Sequence, residues 1–308
     1  MNLQSILAVT DFSASGHHAL ERAAMLAAQQ RALLKLVYAD MDGSPARADA
    51  QERLAHLARQ LAQQFGIDVR MVGRAENTLH EVAEEARGTD LLVLAHEHRR
   101  SLASILRGHP AMQLMRLASC PILVTKLAPG ARYARILVAV NFRPESKTLV
   151  RLACLLDSDA EVGLFHALST RDEAKLRSAE VSVDVLKAYR QECMLYAQDR
   201  ILSLTDSFDA RRNRVQSTIE RGDPARQAVI QQQYAGADLL VVGNRRRTWG
   251  MDFLAGSVAQ RVLSWARSDV LLVPHDFQLP TRAAARQRVS AGCGNGQGAL
   301  LAAGRSLP

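Results

Sequence analysis

Aromatic residues make up only 5% of this 308-residue chain. Its cores must therefore be packed from Ala, Leu and Val, and a 48% hydrophobic content is enough for that. Four cysteines, Cys120, Cys154, Cys193 and Cys293, are scattered without a CxxC pair. That spacing excludes a disulfide framework and points to reduced thiols. No apolar run approaches the length of a membrane span, about 20 residues. The first residues, MNLQSILAVTDFS, lack a basic n-region and reach Asp11 early, so no secretory leader is expected and the protein is expected in the cytoplasm. Acidic residues are missing after Asp276, where four arginines stand. Those arginines carry half of the formal net charge of +8. Without an aromatic-plus-basic stacking pattern, a zinc finger or a helix-turn-helix signal, nucleic acid is not an expected partner. G-x-S-x-G, Walker A and paired carboxylates at telling spacing are missing too, so no catalytic residue is assigned and no enzyme is expected.

What is present is one pattern written twice. RGTDLLVLA from Arg87 matches AGADLLVVG from Ala235 at an offset of 148, and CPILVTK from Cys120 falls on SDVLLVP from Ser268. ILAVTDF from Ile6 falls on ILVAVNF from Ile136 at an offset of 130. The difference is taken up around Thr170 to Ser207. There, AEVSVDVLKAYRQECMLYAQDRIL reads as one long amphipathic helix after a short loop, packed on the sheet. Each half alternates apolar strands with helical periodicity. The expected fold class is α/β: two tandem sandwiches, each a five-stranded, mostly parallel sheet with helices on both faces. The expected division is 1–127, a linker at 128–134, 135–276, and a basic, disordered tail at 277–308.

Ligands in such sheets bind beyond the carboxyl ends of the strands, near the switch in strand order. That places candidates at Asp11 and Asn141, after the first strand of each half, and in VVGNRRRTWGMDFLAGSVAQRV from Val241. In this stretch Gly243 is expected to turn the backbone tightly after a strand. Gly256 and Ser257 open a helix whose free N–H groups favour an anion. Arg245, Arg246 and Arg247 between them attract phosphate. A simple helix cap after a loop fits the same residues.

The combination of a strand ending in Asp, a helix, and a later strand running through Gly and a basic loop into Gly-Ser-Val-Ala resembles the universal stress protein family. The resemblance covers both halves up to Pro274 and includes GDP at Gly222–Pro224. It implies the duplicated α/β fold and a regulatory or protective stress role without turnover. It also implies an adenine nucleotide, ATP with Mg²⁺, bound through a G-x2-G-x9-G-(S/T) motif. In the second half that motif maps to Gly243, Arg246, Gly256 and Ser257, with Arg245 and Arg247 beside it and Asn141 in the place of the base-contacting Asp. Arg246 replaces a glycine; where positive φ is needed, this costs about 1–2 kcal/mol. In the first half Asp11 is kept, but the motif positions are Ala95, His98, Gly108 and His109, and ATP binding is not expected there. The family's pairing of last strands implies that PILVTK and VLLVPH join the halves as an intramolecular pseudo-dimer, with a homodimer of chains as a further possibility. Two other readings stay open: a ligand-free scaffold acting through protein partners, and zinc on His96, His98 and His109 of the first half.

Overall fold

The computed structural model describes residues 2–39, 48–72, 78–96, 110–206, 215–244 and 257–279. The first half runs β1 (Ser5–Thr10), α1 (Ala14–Gln30), β2 (Leu33–Tyr38), α2 (Ala50–Phe65), β3 (Val69–Met71), α3 (Leu79–Ala86), β4 (Leu91–Ala95), α4 (Pro110–Leu117) and β5 (Ile122–Thr125). The second runs β6 (Arg135–Ala139), α5 (Glu145–Leu156), β7 (Glu161–Leu168), α6 (Arg171–Ser178), α7 (Val183–Thr205), β8 (Gln216–Arg221), α8 (Pro224–Ala235), β9 (Leu239–Asn244), α9 (Val258–Trp265) and β10 (Asp269–Pro274). Of the basic tail expected to be disordered at 277–308, Phe277 and Leu279 instead pack against the core, and the residues from Pro280 onward lie outside the described residues.

The ten strands form one sheet in the order β3-β2-β1-β4-β5-β10-β9-β6-β7-β8. Every pair is parallel except β5 with β10, which run antiparallel with Leu123 opposite Leu271. The two last strands thus join the halves about a pseudo-twofold axis. Both are fully buried along their length, which is why they read as unbroken apolar runs. One apolar core lies on each face of the sheet, and each contains residues of both halves. Burying a Leu or Val fully stabilises by roughly 1.5–3 kcal/mol, so the junction is part of the core.

A polar knot pins this junction. Asp269, wholly buried at the start of β10, accepts the Lys126 and Leu127 N–H groups at 2.7 and 3.0 Å and the Tyr133 hydroxyl at 2.6 Å. Arg22 of α1 approaches the same carboxylate at 3.6 Å and stacks over the Tyr133 ring at 4.3 Å. Burial, reinforced by Asp269, pushes the Tyr133 hydroxyl well above its usual pKa. Burial pulls Lys126 down to about 8 against the opposing charge of Asp269. The Lys126 ammonium caps the end of α9, donating to Leu263 O and to Ala266 O.

The segment after β7 differs from its expected form. The expected long helix is present as α7 but starts at Val183, because Glu180 takes a left-handed conformation at φ 53° and Ser182 caps the start, accepting from Val185 N–H. The short loop expected before it contains a further helix, α6. Nor is α7 cleanly two-faced. Ala197, Ile201 and Leu204 are buried against the sheet, but Leu195 and Leu202 are 58% and 65% exposed.

Candidate functional site

Strand order reverses between β1 and β4 in the first half and between β6 and β9 in the second. Asp11 and Asn141 stand at the carboxyl ends of β1 and β6, where crevices open in parallel sheets. Both are used first by the backbone. Asp11 Oδ1 accepts from Ser13 N–H at 2.9 Å and from Ser13 Oγ–H at 2.6 Å. Asn141 Oδ1 accepts from Arg143 N–H at 3.1 Å and from the buried Ser146 hydroxyl at 3.2 Å. A carbonyl oxygen has two lone pairs, so the Asn141 side chain has only its amide N–H groups left for a ligand. Among the described residues those groups have no partner.

Gly243 does not turn the chain. It lies inside β9, opposite Val273, without positive φ. Among the described residues, a β-carbon there would meet only Leu149 of α5, at an ordinary 3.5 Å. Neither packing nor backbone conformation among the described residues requires a glycine, yet the position is exposed at the carboxyl end of a buried strand. An unforced strand glycine of this kind leaves room for a close approach from outside.

Ser257 caps α9, its Oγ accepting from Gln260 N–H at 3.2 Å. The GDP turn supports the same corner. Gly222 has φ 145°, where a side chain is strained, and Asp223 caps α8 through Arg226 N–H at 3.0 Å. Asp223 also pairs with Arg261, one turn into α9, at 2.8 Å. Burial alone would raise the Asp223 pKa, but the Arg226 N–H and Arg261 outweigh it and hold the carboxyl below its usual range. Arg245, Arg246, Arg247 and Gly256 lie outside the described residues. So do His98 and His109. His96 follows β4, its N–H bonded to Thr125 O at 2.8 Å. Among the described residues no group of three His, Cys, Asp or Glu side chains could hold a metal.

The structure adds an aromatic device in each half that motif spacing did not reveal. Phe12 and Phe142 both adopt left-handed backbones, at φ 62° and 61°. These turn the rings back over the next strand. Phe12 stacks on buried Tyr38 at 4.7 Å and 15°, with the Arg53 guanidinium of α2 over it at 4.5 Å. Phe142 lies 4.0 Å from His166 at 32°, with Tyr196 of α7 edge-on at 6.2 Å. His166 Nδ1 donates to Val140 O at 2.8 Å, and burial lowers its pKa despite that bond. The signal available in the sequence was the pair of aligned phenylalanines in ILAVTDF and ILVAVNF.

A duplicated sheet of order 3-2-1-4-5 with a switch point in each half defines a tandem α/β protein. A sequence model of the universal stress protein family matches residues 2–126 and again 132–274, and the chain belongs to that family. It is 30% identical to a universal stress protein of Mycobacterium tuberculosis over 202 residues, 63% of this chain and 64% of that protein. A universal stress protein of Mycobacterium bovis matches to the same extent. Among solved structures, a universal stress protein from Archaeoglobus fulgidus superposes with a TM-score of 0.65 at 16% identity, covering 88% of this chain and 96% of that one. A protein of unknown function from Pseudomonas aeruginosa gives 0.62 at 23%, covering 94% and 98%. These likenesses extend over both halves and show the fold. No helix among the described residues is long and apolar enough to cross a membrane.

Proposed function

We propose that this protein is a cytoplasmic stress-response regulator that acts by binding, with an adenine nucleotide held by its second half alone. The observation that carries the reading is Gly243. It is an exposed glycine that neither φ nor packing among the described residues explains, at the end of β9, beside Asn141 and on the strand that leads to the Ser257-capped helix. In this reading the N-terminus of α9 and the Ser257 hydroxyl face the phosphates. Arg245, Arg246, Arg247 and Gly256 supply the loop between. Asn141 donates its amide N–H to a ring nitrogen of the base, since its carbonyl is occupied. Mg²⁺ would arrive on the phosphates themselves, because Asp223, the acid facing α9, is already paired with Arg261.

Binding without turnover is supported by Ser257, whose oxygen is engaged by Gln260 N–H and has no His, Asp or Glu partner among the described residues. A reducing compartment fits the free thiols of Cys120 and Cys193. The stress role rests on family membership. The competing reading, a ligand-free scaffold, draws on the turn at Asn141, which makes full use of that carbonyl with no ligand at all. Isothermal titration of ATP with Mg²⁺ into the wild type and Ser257→Ala separates them. Saturable binding that weakens in the variant supports a working cradle, and absence of heat in both proteins rejects it.

A further inference from the structure

The segment by which the second half exceeds the first builds a charge cluster with no counterpart across the pseudo-twofold among the described residues. Glu173 of α6 is only 6% exposed. Three guanidinium groups converge on it. Arg177, one turn along α6, reaches Oε1 at 3.0 Å; Arg190 of α7 bonds the same oxygen; Arg221, the last residue of β8, bonds Oε2. One arginine would neutralise this carboxylate. Three held together repel one another, and Glu173 is the carboxylate they share. The Nε of Arg190 is buried with no hydrogen-bond partner among the described residues, a donor whose desolvation is uncompensated.

Position matters as much as charge. Arg221 ends β8 opposite Leu168, the end of β7, on the rim where such sheets take ligands. The Arg177 and Arg221 side chains are 63% and 38% exposed, so an anion can reach them from solution.

The geometry points to a second anion site, formed by Arg177, Arg190 and Arg221 around Glu173, for a multiply charged phosphate group, free or esterified. Glu173 is its internal counter-ion: it holds the three planar forks in place before the ligand arrives. A phosphate brings more acceptor oxygens than one carboxylate and close to two charges. It therefore engages the surplus guanidinium charge and offers an acceptor to Arg190. Planar bidentate donors suit phosphate oxygens. The site shares no residue with the α9 cradle, and the inference does not depend on the nucleotide reading.

The test is calorimetric titration of inorganic pyrophosphate at low salt into the full chain and into Arg190→Ala, Glu173→Gln and Ser257→Ala. The expected result is one saturable site, weakened about tenfold or more in Arg190→Ala, tightened in Glu173→Gln and unchanged in Ser257→Ala. Thermal unfolding monitors each variant, and Arg221→Ala takes the place of Arg190→Ala should the latter lose its fold. Replacing pyrophosphate with glycerol 3-phosphate distinguishes the source. Binding of both with the same arginine dependence assigns phosphate esters as well, and binding of pyrophosphate alone restricts the site to free polyphosphate. The inference is overturned if neither wild type nor Glu173→Gln binds pyrophosphate, or if binding survives Arg190→Ala unchanged. Loss of pyrophosphate binding in Ser257→Ala alone would place the anion at α9, overturning this site while supporting the earlier one.

Discussion

The two halves solve the same turn with different residues. After β1, Asp11 accepts from Ser13, and Gly16 leaves space for it: a β-carbon at 16 would stand 2.4 Å from Asp11 Oδ1. After β6, at the 130-residue offset, the pair is Asn141 and Ser146, and the serine hydroxyl donates to the amide oxygen instead. The acid and the amide thus do one structural task in common. The lesson is that the residue type at this corner reports turn chemistry before it reports a ligand. The halves part company elsewhere. Gly243 and Ser257 leave an approach and a capped helix in the second half. In the first, Ala95 and His109 stand at the same stations.

The largest expected effect breaks the symmetry axis itself. Asp269→Ala leaves two N–H groups and the Tyr133 hydroxyl without their acceptor and Arg22 without its counter-charge, and should destabilise by about 3–5 kcal/mol; the urea unfolding midpoint would show it. A loss below about 1 kcal/mol would mean that the knot is incidental. Next, Gly16→Ser copies the second half onto the first. The clash with Asp11 should cost about 1–3 kcal/mol, whereas Ser146→Ala, losing one hydrogen bond, should cost about 1 kcal/mol. Equal costs in the two halves would contradict the division of labour at this turn. Ser257→Ala removes the α9 cap and should cost about 1 kcal/mol, read as a small drop in Tm that bound nucleotide no longer reverses.

The smallest effect concerns pH. His166 has a folded pKa below the ordinary 6.5, so the unfolded chain binds the proton first. The stability from neutral His166 is complete above about pH 6.5 and is lost as pH falls through the folded pKa. His166→Tyr, which imitates Tyr38, should flatten the decline in stability below that pH. An unchanged slope would assign the decline to other groups.

The duplication and the parallel strands were legible in the chain, because buried strands and an internal repeat leave direct marks in composition and spacing; the joining of PILVTK to VLLVPH followed only from the resemblance to the family. Asp11, Asn141 and Ser257 were legible as residues, since strand ends and caps have characteristic types. Their hydrogen bonds were not, and the tight turn expected at Gly243 became an exposed position within β9. The helix expected from Ala179 is present from Val183, but its faces were misread because apolar residues at helical spacing look alike whether they face the sheet, as Ile201 does, or the solvent, as Leu202 does.

By itself, then, the sequence determined two α/β halves, their element order and the corners where ligands of such sheets bind. Those properties follow from local periodicity and turn chemistry, which each segment carries alone. Only the tertiary structure decided that Asp269 pins the halves together, that Phe12 and Phe142 fold back over the neighbouring strand, and that Arg177, Arg190 and Arg221 meet on one carboxylate. The reason is physical: these groups come from elements far apart in the chain, and their charges and rings interact only once the core has brought those elements together.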